Sequence, residues 1–291
     1  MKRLIVLLTL LSSFVVANEV TVSILPQKYF VEKIAGDKIN VNVMVKPGSS
    51  PATYEPKTSQ MKALSNSLAY FSIDVPFEKV WLEKFKNASK NMIIVDTAMG
   101  ITKLKMEAHE HHDEDDHDDH DKHKDEHEHS GLDPHIWLDP ILVKTQAKNI
   151  VETLVKIDSK NKNFYTKNYE LFLKELDSLD KEIESILEPY EHRAFMVFHP
   201  SWGYFSKKYH LEQIAIEVQG KEPKPAQLVE LVKEAKKHDI KIVFVSPQFS
   251  QNGAKTISKS INGNVAVINP LSEKWDENLI KVAKEIAKTY K

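Results

Sequence analysis

Two histidines stand in rigid local surroundings that suit a metal ligand. His135 lies in the octapeptide Asp133-Pro134-His135-Ile136-Trp137-Leu138-Asp139-Pro140, just before a predicted helix N-cap. A pre-positioned imidazole loses little side-chain freedom when it binds. Asp133 or Asp139 is placed to accept its other ring N–H. His199 opens the run His199-Pro200-Ser201-Trp202-Gly203-Tyr204-Phe205, at the carboxyl end of a predicted strand over residues 194–198. In open parallel sheets, ligands bind at that end. Position alone equally permits ordinary core or surface histidines, so the pair can hold a metal only if the fold brings them together.

A third feature is compositional. Residues 107–129 contain eight of the thirteen histidines, His109, His111, His112, His117, His120, His123, His127 and His129, with twelve carboxylates and two lysines. No apolar residue follows Ala108 in this stretch. Such a segment buries too little surface to offset its ordering entropy, and the sequence predicts a disordered loop over 107–130. Alternating imidazole and carboxylate give many weak, exchangeable metal sites. Imidazole favours zinc, copper and nickel over calcium and magnesium, and protonation near pH 6 weakens capture.

The elements that must position these groups follow an α/β rhythm. Strands are predicted at residues 21–25, 39–45, 68–73 and 92–95, with helices at 26–35, 58–65 and 77–85 between them. A helix opens at Asp139-Pro140, with Asp as N-cap and Pro at N1. A longer one runs over 161–187 with Tyr165, Tyr169, Phe172, Leu176, Leu179, Ile183 and Ile186 in alternating steps of four and three. That stripe fits a coiled-coil dimer or, without any partner, a helix lying across both halves of its own chain. The last third repeats the rhythm, with strands at 194–198, 211–218, 241–245 and 265–268 and helices at 225–238, 251–260 and 275–290. The fold class is α/β: two lobes of parallel sheet flanked by helices, joined by one long helix. The expected organisation is a signal peptide at 1–17, an N-terminal lobe at 18–158, a linking helix at 159–189 and a C-terminal lobe at 190–291.

Composition narrows the function. The chain has 291 residues, is 41% hydrophobic and carries a formal charge of -2, which favours neither nucleic acid nor an anionic membrane. The charge is uneven: the histidine-rich segment carries about -10, leaving the rest of the chain after residue 17 near +6. Lys2 and Arg3, the apolar stretch 4–16 and small residues up to Ala17 read as a cleaved secretory signal, too short to span a bilayer. There is no cysteine, so any metal site uses imidazole, carboxylate, amide or water. There is no phosphate loop, Gly-rich fingerprint or nucleophile elbow.

The stretch Pro47-Gly48-Ser49-Ser50-Pro51-Ala52-Thr53-Tyr54-Glu55-Pro56, the octapeptide, the run from His199 to Phe205 and the histidine-rich loop together resemble the zinc- and manganese-capturing class of substrate-binding proteins of ABC importers. The resemblance spans nearly all of the chain after the signal. It implies two lobes, a rigid linking helix, a metal held in the cleft and delivery to a membrane permease. Zn2+ is the implied metal, with Mn2+ the alternative. A periplasmic monomer that is not an enzyme is expected. The family normally supplies four ligand positions. His135 and His199 match two of them, but Ala52 stands where a histidine is usual and Asn269 where an acidic residue is usual. Completion could come from the amide oxygen of Asn269, water, Glu55 or a loop histidine; water plus a loop histidine is favoured because that loop ends close to His135. Two other functions stay open. One is a metal buffer acting through the loop alone. The other is a metallohydrolase with Glu55 or Asp139 as general base.

Overall fold

The computed structural model describes residues 18–106, 131–217, 221–249 and 252–290. The expected signal peptide and all eight loop histidines lie outside the described residues.

The first sheet has strand order β2-β1-β3-β4, from β1 (Asn18–Val22), β2 (Ile39–Val43), β3 (Ala69–Ser72) and β4 (Ile93–Asp96), all parallel. Parallel neighbours need crossovers, and helices α1 (Leu25–Ala35), α2 (Thr58–Leu64) and α3 (Glu78–Ala88) supply them. The first strand begins earlier than its sequence predicts. Asn18 already pairs with Ile39, and the ladder with β2 ends at Val22. Its early end is set by Gln27. Its buried side-chain oxygen accepts from the N–H groups of Ser23 and Ile24, turning the chain into α1. Its amide nitrogen donates to the carbonyls of Phe71 and Ser72 and to Thr97 Oγ1, which ties the carboxyl ends of β1, β3 and β4 together.

Helix α4 (Pro140–Ile157) leads into α5 (Lys162–Leu187), the 26-residue helix expected from the stripe. Tyr165, Phe172, Leu176, Leu179 and Ile183 are buried within the chain itself, against α1, α4 and the final helix α9 (Trp275–Lys288). The stripe is therefore satisfied internally.

The second sheet has order β6-β5-β7-β8, also parallel, from β5 (Ala194–Val197), β6 (Glu212–Ala215), β7 (Ile242–Val245) and β8 (Asn264–Val267). Helices α7 (Pro225–Lys237) and α8 (Asn252–Ser260) flank it. A short helix, α6 (Gly203–Lys208), follows β5 inside the run read from sequence only as a candidate ligand motif. Alternate strand residues point to opposite faces. Ala194, Met196, Val243 and Val245 join one cluster with α7 and α8. Phe195, Val197 and Phe244 join a larger one that runs without a break through α9, α5, α4 and the first sheet. The lobes thus share one core. Polar contacts reinforce the seam: Trp137 Nε1 donates to the Pro270 carbonyl at 2.7 Å, and Trp275 Nε1 donates to the Trp137 carbonyl at 2.7 Å.

Candidate metal centre

The polar side chains at the carboxyl end of the second sheet include His199 after β5, Glu217 after β6, Gln248 after β7 and Asn269 after β8. Facing them is the turn that holds His135. That turn is held at both ends. Upstream, Met106 N–H donates to the Gly131 carbonyl and Asp133 N–H to the Leu104 carbonyl, so the chain on either side of residues 107–130 is clipped together. Downstream, Asp139 caps α4 by accepting from the N–H of Ile141 at 2.7 Å and of Leu142 at 3.4 Å.

The two imidazoles meet across the seam. Their ring centres are 5.5 Å apart, inclined at 71°. Two imidazoles bound to one zinc at ~2.0–2.1 Å with a tetrahedral angle place their ring centres about 5 Å apart, so the spacing suits a shared ion. Each ring is held by a buried carboxylate. His135 Nδ1 lies 2.6 Å from Asp133 Oδ1, and His199 Nδ1 lies 2.6 Å from Glu217 Oε1. Donation of Nδ1–H to a carboxylate leaves Nε2 as the lone-pair nitrogen, the arrangement a metal ligand needs. Neither Nε2 has a hydrogen bond to any described residue. A carboxyl group behind each ring complements a divalent cation.

Neighbours fix these groups further. Asp133 Oδ1 also accepts from the N–H of His135 at 2.9 Å. Its other oxygen lies against the start of α6, where a Cβ on Gly203 would meet Asp133 Oδ2 at 3.0 Å. The Tyr204 hydroxyl donates to the Asp133 carbonyl and accepts from Leu104 N–H, both at 2.9 Å; burial pushes its pKa up to about 12, so it stays a donor. On the other side, the Phe249 ring stacks on His199 at 4.4 Å and 25°.

The remaining expected groups are placed differently. Asp139 serves the helix and not a ring; burial raises its pKa, against the pull of the two N–H donors. The Asn269 side-chain oxygen accepts from Gln248 Nε2 at 3.0 Å and from Leu271 N–H at 3.1 Å, so both its lone pairs are engaged. Ala52 and Glu55 are exposed on the loop after β2. No cluster of three or more His, Asp or Glu side chains with metal-binding spacing occurs among the described residues. Sequence reasoning named Asp133 but missed Glu217. Its signal was a carboxylate inside the otherwise apolar stretch Ile214-Ala215-Ile216-Glu217-Val218, a position where burial must be compensated.

The family model described as zinc-uptake complex component A, periplasmic, matches residues 20–291. The chain belongs to that family. A high-affinity zinc uptake system protein ZnuA of Bacillus subtilis is 29% identical over 253 residues, covering 84% of this chain and 76% of the relative. Zinc-binding protein AdcA of Streptococcus pyogenes is 28% identical over 259 residues, 87% of this chain but only 50% of that protein, so the chain spans about half the length of AdcA. Among solved structures, a crystal structure of ZnuA superposes with a TM-score of 0.85 at 42% identity, covering 94% of this chain and 100% of that one. A zinc-bound deletion mutant of ZnuA gives 0.83 at 42% identity, covering 94% of this chain and 98% of that one. The two-lobe architecture with its long helix is the fold of those structures. Among the described residues, no helix is long and apolar enough to cross a membrane.

Proposed function

We propose that this chain captures a divalent transition metal, zinc before manganese, outside the cytoplasmic membrane and hands it to the permease of an ABC importer. The observation that carries the reading is the pair His135 and His199. They come from two different parts of the chain, at a spacing that suits one ion, each with its Nδ1 locked by a buried carboxylate. Two nitrogen donors favour zinc over manganese, which prefers oxygen. Family membership and the zinc-related names of the relatives support the cargo and the uptake system.

The finer organisation belongs to the same proposal. Residues 1–17 direct export and are removed after Ala17. Residues 18–158 and 190–291 form the lobes, and 159–189 the link. The buried stripe of α5 supports a monomer, since that helix already has its partners. Capture and not hydrolysis is favoured because the carboxylates beside the rings are spent on orienting them.

Calorimetric zinc titration of His135→Ala and His199→Ala tests the site. Each substitution is expected to weaken binding by at least about 100-fold, the loss of one of a small number of ligands. Unchanged tight binding in both variants overturns the assignment.

A further inference from the structure

A tight zinc site has three or four protein ligands, and this pair supplies two. What else the protein offers the ion is written in its unsatisfied polar atoms, which are rare in folded proteins and mark places where a partner is missing. Among the described residues, the buried side-chain atoms without a hydrogen-bond partner include Gln248 Oε1 and Ser201 Oγ, the latter two residues beyond His199.

The orientation of the Gln248 amide is not arbitrary. Leu271 N–H requires that the oxygen of Asn269, and not its nitrogen, face it. That oxygen then requires a donor from Gln248, so Gln248 must present Nε2 to Asn269 and turn Oε1 away. Gln248 leaves β7, the strand between β5 with its His199 and β8 with its Asn269. The next residue, Phe249, stacks on the His199 ring. An acceptor without a donor is thereby held on the residue that precedes the ring stacked on His199.

We propose that Gln248 is a further residue of the metal site: its Oε1 accepts a hydrogen bond from a water carried on the ion, so that the cleft takes a partly hydrated divalent cation on two imidazoles. Asn269 is then the anchor of Gln248 and not itself a ligand. A metal-bound water is a strong donor, and it supplies what the metal-free cleft lacks. This inference rests on the capture function proposed above and names how the same site is completed.

The test is Gln248→Met, which keeps the volume and removes both polar atoms, in the full chain after export. Zinc affinity is measured by competition with a chromogenic chelator. The visible absorption of the cobalt(II)-loaded protein and the melting temperature of the metal-free protein are read beside it. Zinc affinity is expected to fall by about 10–100-fold, the usual effect of removing an outer hydrogen-bond partner, with a displaced cobalt band at saturation and no loss of metal-free melting temperature. Asn269→Ala, which releases the anchor, is expected to shift the cobalt band in the same direction. An unchanged cobalt band in Gln248→Met overturns the proposal, whatever the stability does. If the wild type binds zinc tightly while that band is unchanged, the capture function stands and Gln248 is only a wall. If the wild type binds no zinc, both readings fall.

Discussion

At the scale of single residues, the site is a matter of which ring nitrogen is free. Asp133 and Glu217 decide that by holding Nδ1–H at 2.6 Å in each case. Asp133→Asn and Glu217→Gln keep the shape and an accepting oxygen but remove the charge. Each is expected to lower zinc affinity by about 10–100-fold while leaving one bound ion per chain. Competition with a chromogenic chelator reads the affinity and calorimetry the stoichiometry; full wild-type affinity in both variants would show that the carboxylates do not tune the rings. The two partners were not equally legible in the sequence. Asp133 is two residues from His135, and a short-range turn suffices to join them. Glu217 is 18 residues from His199 and meets it only because β5 and β6 lie side by side in parallel register, Val197 opposite Ala215. Local pattern cannot give a contact that a sheet creates. Asn269 shows the same limit from the other side: its place beside the cleft was readable, but the occupation of its oxygen by Leu271 and Gln248 was not.

At the scale of elements, the carboxyl ends of the two sheets are used in opposite ways. The second sheet carries His199, Glu217 and Gln248 just beyond its strand ends, whereas the first seals its end with internal hydrogen bonds. Besides Gln27, the seal is Glu78, 1% exposed, whose carboxylate accepts from Asp74 N–H at 2.6 Å, from Ile73 N–H and from the Ser23 hydroxyl, itself bonded to Tyr70. Burial raises the Glu78 pKa from 4.5 to about 7, against the pull of those donors. The folded state therefore holds this proton where the unfolded chain has released it. Its contribution is fully present below about pH 4.5 and is lost as pH rises through about 7, a change on the order of 3 kcal/mol. Glu78→Gln is expected to flatten this part of the pH dependence. Urea unfolding of both proteins at pH 5 and pH 7.5 measures it, and an equal pH slope in the two would refute the buried-acid account. The elements themselves were largely legible because apolar runs bounded by Pro, Gly and Asp mark strands and helix starts. The short α6 was not. Its six residues include Gly203, Lys207 and Lys208, too few to show a helical period.

At the scale of the whole molecule, the question is whether capture belongs to the cleft or to the histidine-rich segment. The fold bears on this through three connections. One core cluster runs through both lobes and α5, so the cleft walls are parts of one packed body. The seam between them is bonded through Trp137, Trp275 and Tyr204, each using a side-chain donor on a backbone carbonyl of the other side or of the His135 turn. The chain entering and leaving residues 107–130 is joined by the bridge between Lys105 and Leu132, and Met106 N–H lies 3.0 Å from the Gly131 carbonyl. A short Gly-Ser linker can therefore replace residues 109–129 without moving Asp133 or His135. The exchange removes eight imidazoles and the acidic charge that offsets a body near +6. The expected outcome is that the weak sites vanish, total zinc bound per chain falls, and one tight site remains with its affinity within about threefold of wild type, since its ligands and their carboxylates are untouched. The electrostatic attraction of the acidic segment, screened over a Debye length of about 10 Å at 0.1 M salt, is lost, so the rate of metal capture should fall more at low salt than at high salt. Calorimetry separates the two classes of site and stopped-flow mixing at two ionic strengths measures the rate. Disappearance of the tight site on deletion would move the function from the His135–His199 cleft to the segment itself and make the protein a buffer.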